Sequence, residues 1–169
     1  NDGSNVVPAV LTVTIFEGDT PNDNLYLTEV MYSPQSNGFD YEWVEFYNPN
    51  DIAIFVNSWT IADNEQKDNI VSEENEIITI PAKSVGILTS SPSTFRETYV
   101  NYKYVFSVED VAIGNGLGTS ETIILSKNSY NDAFTYTSED GANSNGKTLT
   151  RSCYNCADWS EAVSSPGTI

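Results

Sequence analysis

Residues 42–50 read EWVEFYNPN. In an extended chain alternate side chains face opposite ways, so Glu42, Val44 and Phe46 share one face and Trp43, Glu45 and Tyr47 the other. Asn48-Pro49-Asn50 then supplies a turn. The stretch reads as a strand carrying an acid on each face. Paired carboxylates can do acid–base chemistry or hold a cation, but acids on opposite faces cannot act on one substrate unless a bulge intervenes. Glu29, in the preceding run LYLTEVMY (25–32), can meet one of them across a ladder. Like charges placed so are unfavourable unless a proton or a cation compensates. A glycosidase pair needs carboxyls about 5–9 Å apart across an open cleft, and nothing in the sequence forces that arrangement.

The texture around this stretch is β throughout. Runs of alternating or β-branched residues predict strands at 9–17, 25–32, 41–48, 53–56, 59–62, 76–80, 85–89, 102–106, 121–126, 133–137 and 147–151. Turn-forming clusters such as YNPND, SSPS, GNGLG and EDGANSNG separate them. No helical period of useful length is legible. Many short strands at close spacing predict a sandwich or a barrel.

The chain of 169 residues is long enough for one domain with a real core, and its hydrophobic fraction of 39% excludes a disordered chain. No apolar run approaches the roughly 20 residues of a membrane-spanning helix. The opening NDGSNVVP has neither Met nor an apolar leader, so any signal peptide is expected to have been removed or left out. Seven basic residues stand against 24 acidic ones, a net charge of −17. Such a chain is repelled by nucleic acid and by anionic membranes. It suits cations, proteins or neutral carbohydrate. Asp19, Asp23, Asp63, Asp68 and Asp140 fall in expected loops and leave calcium open as a cofactor. DGANSNG (140–146) has the composition of a calcium loop but not its ligand spacing.

Histidine is absent. That excludes Ser-His-Asp and Cys-His catalysis and the usual zinc sites. Cys153 and Cys156 stand in CYNC with no strand-then-helix setting for a redox pair and no further soft ligands for zinc. They are disulfide candidates or inert thiols, and a disulfide would place the chain outside the cytosol.

Residues 1–24 read as an arm. In AVLTVTIFE, Ala9, Leu11, Val13 and Ile15 share one face of an expected strand, and GDTPNDN (18–24) is a polar linker. The strand either folds back as an edge of its own sheet or is donated to a neighbouring subunit. In the second case those four residues bind the partner.

LTEVMYSP (27–34), YEWVEFYNP (41–49), SWTIAD (58–63), IPAKSVGIL (80–88), GLGTSETIIL (116–125), GKTLTR (146–151), Asp158-Trp159 and the closing SPG (165–167) occur in one order. Together they resemble the lamin tail domain as it occurs in secreted bacterial and archaeal proteins, over residues 25–169. The CYNC insertion, Lys83-Ser84 and Thr148-Leu149-Thr150 depart from the family pattern. The resemblance implies an all-β, immunoglobulin-like sandwich, here with an additional N-terminal strand on a linker. It implies no catalytic set. Glu29, Glu42 and Glu45 then serve the fold by accepting hydrogen bonds, and Trp43, Trp59 and Trp159 pack it.

The expected function is a non-enzymatic extracellular or cell-surface module for protein binding or adhesion. One alternative is a structural subunit of an extracellular filament joined by donor-strand exchange. A carboxylate-dependent glycan hydrolase built on Glu29 with Glu42 or Glu45 is the other.

Overall fold

The computed structural model describes residues 23–36, 38–72 and 78–168. The expected strand 9–17 lies outside them. The elements run β1 (Tyr26–Met31), β2 (Trp43–Asn48), β3 (Ile54–Phe55), β4 (Thr60–Ala62), β5 (Lys67–Val71), β6 (Thr79–Ile80), β7 (Ser84–Thr89), α1 (Pro92–Thr98), β8 (Val105–Val108), β9 (Ser120–Lys127), β10 (Tyr130–Thr137), β11 (Lys147–Arg151) and β12 (Trp159–Val163). Ten strands hydrogen-bond in the order β10-β9-β4-β5-β8-β7-β2-β1-β11-β12, while β3 and β6 form a small separate pair. Within the ten, only β7 and β8 run parallel.

The sheet curls on itself, so that β10, β9, β4 and β5 form one layer and the remaining six strands the other. Side chains of both layers meet in one core, with Ile61, Leu125 and Phe134 against Val44, Phe46 and Leu149. Each such side chain contributes roughly 1.5–3 kcal/mol by leaving water. The architecture is an all-β immunoglobulin-like sandwich.

Three elements escaped the reading of the sequence. β5 (KDNIV) buries Asp68 alternately with Ile70, and a carboxylate at a core position hides the period. β12 (WSEAV) pairs with β11 from Arg151↔Trp159 to Lys147↔Val163. The short helix α1 begins with Pro92 at its first turn and is too short to show a period. It is nonetheless important for packing, because Phe95 and Tyr99 lie edge-on to Trp43 at 5.8 Å each. With Met31, Ile87 and Val105 they make a second core on the outer face of the larger layer.

Candidate functional site

β2 places its side chains as the alternation predicts. Val44 and Phe46 enter the main core, while Trp43, Glu45 and Tyr47 turn to the other face. On β1 the alternation breaks. Leu27 opposes Phe46 and Glu29 opposes Glu45, so Thr28 is an extra residue bulged out of the ladder. The bulge turns Thr28 and Glu29 to the outer face together. Without it, Glu29 would share the core face of Leu27.

The result is a buried acidic pair, with Glu29 1% and Glu45 0% exposed. Hydrogen-bond donors surround it. Thr28 Oγ1 donates to Glu45 Oε1 at 2.7 Å, and Thr148 Oγ1 donates to Glu29 Oε1 at 2.5 Å. The C-terminal segment supplies the rest. Ser165 N–H donates to Glu29 Oε1 at 2.9 Å, and Gly167 N–H donates to Glu45 Oε2. Burial pushes both carboxyls up, Glu45 to about 7, and Glu29 adds to the rise of Glu45; the accepted hydrogen bonds pull the other way. The pair therefore binds the last residues of the described chain onto the sheet. Gly167 sits at φ +85°, and a Cβ there would lie 1.5 Å from the Tyr102 hydroxyl.

Glu42 does not join this pair. It lies just before β2, 6% exposed, and its Oε2 accepts the Leu117 N–H at 2.9 Å. Burial pushes it to about 7, against the pull of that bond, with the Asp63 charge as a smaller cause. It belongs to a set of acids that hold the loop 110–118. Asp68 accepts from Gly114 N–H at 2.6 Å, and Asp63 from Asn115 N–H at 2.8 Å. Asp63 also accepts from Glu65 and Gln66 N–H at 2.8 and 2.7 Å. Each of these three buried carboxylates is thus matched to a loop amide, as a carboxylate out of water requires.

The aspartates considered for calcium are engaged in the same way. Besides Asp63 and Asp68, Asp140 accepts the Thr137 N–H at 2.7 Å and Asp23 pairs with Lys127 at 2.5 Å; Asp19 lies outside the described residues. Among the described residues no group of three or more acidic or cysteine side chains is arranged to hold a metal ion. The loop 140–146 is held by Glu161 of β12, which accepts from Ala142 N–H, Asn145 Nδ2 and Lys147 Nζ at 2.7, 2.7 and 2.5 Å.

Cys153 and Cys156 are joined by a disulfide, with Cα atoms 5.1 Å apart. The loop they close carries Tyr154, whose carbonyl accepts from Arg151 Nη1 at 2.9 Å. Arg151 is a residue the sequence reading passed over. It forms a two-pronged pair with Asp132, at 2.8 and 3.0 Å, which ties β11 to β10 across the sandwich. It also lies over the Trp159 ring at 5.1 Å, and that ring stacks on Phe134 at 3.8 Å. The available signal was Asp132 at an inward position of a strand otherwise apolar on that face. Trp43 and Trp59 are almost wholly buried, and Trp159 packs at the margin of the core.

A shallow concavity of about 550 Å³ lies where β2 and β7 meet the segment entering β8. Tyr47, Tyr102 and Tyr104 line it with Val85, and Lys83 and Lys103 border it. Lys103 sits over the Tyr104 ring at 5.3 Å. No signal in the sequence joined these residues, since they come from three separated segments. A smaller hollow of about 200 Å³ lies beside Trp43, Phe95 and Tyr99.

The family model described as Lamin Tail Domain matches residues 19–148. The sheet continues past the match, because β11 and β12 extend it from β1. No curated protein and no solved structure matches the chain. The match covers most of the sequence, and the chain belongs to the lamin tail domain family.

Proposed function

We propose that this chain is a non-enzymatic, extracellular binding module that recognises a protein partner through the tyrosine-lined groove. One observation carries the reading: the acids that could have formed a reactive pair are consumed by the fold. Glu29 and Glu45 hold the C-terminal segment, and Glu42 holds the loop 110–118. The groove of Tyr47, Tyr102 and Tyr104 is open to a ligand. Tyrosines are favoured in protein interfaces because they combine large apolar area with a polar tip. Two of the seven basic residues of an acidic chain border the same groove, which suits a partner bearing acidic or aromatic side chains. The Cys153–Cys156 disulfide supports an oxidising location.

The test is binding of the purified chain to proteins of the producing organism's cell surface, beside the variants Tyr47→Ser and Tyr104→Ser. Binding lost in both folded variants supports the reading. Binding that survives both moves the interface elsewhere. Turnover of a glycan panel that Glu45→Gln abolishes would make the chain a hydrolase instead. Light scattering on the full chain covers the remaining reading. Large assemblies would favour a filament subunit.

A further inference from the structure

The outer face of β2 carries Trp43 at one end and Tyr47 at the other, roughly 13 Å apart along the strand. Tyr47 lines the groove, whereas Trp43 lines the separate hollow of about 200 Å³. The floor of this hollow is aromatic. Trp43 and Phe95 are almost wholly buried, Tyr99 is half-buried, and all three line it. Phe95 and Tyr99 stand at 79° and 80° to Trp43, while their own rings tilt together with centroids 4.8 Å apart. The ring faces of this cluster therefore point in two perpendicular directions, as in a box rather than a stack. Met31 adds a polarisable thioether to the same lining.

The rim is polar, and its charge has one sign. A single turn of 3-10 helix, Phe39–Tyr41, sets Asp40 and Tyr41 at the mouth, both exposed. Asp40 is the only charged side chain among the described residues that line the hollow. Arg96, next to Phe95 in α1, does not line it. Asp63, Asp68 and Asp132 spend their carboxylates on loop amides or on Arg151, whereas Asp40 stands at an opening. The chain around it has a net charge of −17, which favours a cation at this mouth.

We infer that the hollow binds the head group of a quaternary ammonium compound. Three features select that chemistry. Aromatic faces attract a cation through the ring quadrupole, and more strongly where water is displaced. Asp40 adds attraction at the mouth, and no base lining the hollow opposes it. A primary ammonium brings three N–H donors, each of which needs an acceptor once out of water. No carboxylate lines the floor to take them. A quaternary head has no donor to satisfy and packs its methyl groups against the rings. The volume agrees, because a drug-sized ligand takes roughly 300–1,000 Å³ and this hollow is on the scale of a head group alone. The site is separate from the groove and does not depend on the protein partner proposed there.

The experiment titrates choline chloride into the full chain and follows the Trp43 indole N–H resonance. Ethanolamine and the uncharged carbon isostere of choline, dimethylbutanol, are titrated beside it. The expected result is a saturable shift of Trp43 with choline and an affinity about tenfold lower for the isostere. Asp40→Asn and Tyr41→Ala should each weaken choline about threefold. Both residues are exposed, so the variants keep the fold. Resonances of Tyr47, Tyr102 and Tyr104 should stay in place. Choline that does not saturate, or that shifts the groove instead, overturns the inference. Equal affinity for choline and its isostere overturns it too, because the hollow then reads apolar shape and not charge. Ethanolamine bound as tightly as choline overturns the choice of a quaternary head.

Discussion

Glu29 and Glu45 stand directly opposite each other in the β1–β2 ladder, each removed from water. Two carboxylates so placed repel each other when both are ionised. The fold tolerates them because loop and hydroxyl donors surround them and because burial lets one keep its proton. Their arrangement depends on one bulged residue, Thr28.

Buried Glu29, Glu42 and Glu45 make stability fall as pH rises. An unfolded glutamate releases its proton near pH 4.3, whereas Glu45 and Glu42 hold theirs to about 7 in the fold. Folded-state pKa values above the unfolded ones contribute stability that is complete below about pH 4.3 and is lost by about pH 7. Unfolding free energy from urea titrations is expected to drop between pH 5 and pH 8 by on the order of 5 kcal/mol. Glu45→Gln should remove a large part of that slope, leaving the shares of Glu42 and Glu29. A flat profile across the window would mean that the acids ionise in the fold without cost.

The loop 110–118 should fail at one glycine. Gly114 has φ +58°, and a Cβ there would lie 2.1 Å from the Asp63 carboxyl. Gly114→Ala must displace Asp63, which also accepts from Glu65, Gln66 and Asn115 amides. The expected loss is about 1–3 kcal/mol in urea unfolding. Nuclear magnetic resonance shifts should change around Asp63 and leave β11 and β12 unmoved. A variant as stable as the parent would show that the carboxylates do not hold this loop.

How much of this was legible before folding follows from locality. Strand β2 was legible because its apolar alternation is local, and so was the turn at Asn48-Pro49-Asn50. The opposite facing of Glu42 and Glu45 followed from the same alternation. The partner of Glu45 was not legible. A strict period of two assigns Glu29 to the face of Leu27, and only the bulge at Thr28, set by packing against β2, reverses it. Apart from Thr28, the donors to the pair come from Thr148, Ser165 and Gly167, more than a hundred residues away from Glu29 or Glu45 in the chain. β5 was hidden by Asp68, which occupies a core position where the Gly114 amide and the Gln66 side chain meet it. The groove draws on β2, β7 and the segment before β8, and no local pattern joins those.

Arg151 and Asp132 close the sandwich where hydrogen-bonded strands do not. Their side chains are 7% and 12% exposed, and the guanidinium also donates to the Leu27 and Tyr154 carbonyls at 3.1 and 2.9 Å. Removing one member leaves an uncompensated charge out of water. Asp132→Ala is expected to cost about 3–5 kcal/mol. Arg151→Lys should recover little, because an ammonium cannot meet both carboxylate oxygens and two carbonyls with one planar fork. Thermal unfolding of both variants checks this. A lysine variant close to the parent would mean that charge alone, without the fork, closes the seam.

The disulfide should matter modestly to stability. Cys153 and Cys156 close a loop of separation three, and loop-closure entropy for so short a span amounts to about 2 kcal/mol. The strands on either side are held independently, since β11 pairs with both β1 and β12. Reduction is expected to lower Tm by several degrees and to leave the circular dichroism of the folded state intact. The local consequence is larger. Tyr154 follows Cys153 in the closed loop and packs edge-on against Tyr26 at 5.3 Å and tilted against Tyr47 at 5.4 Å. Tyr47 lines the groove, so reduction should loosen one wall of it. Binding of a partner at the groove would then weaken under reducing conditions while the fold persists. Equal affinity of the oxidised and reduced forms would place the partner's contacts away from Tyr47.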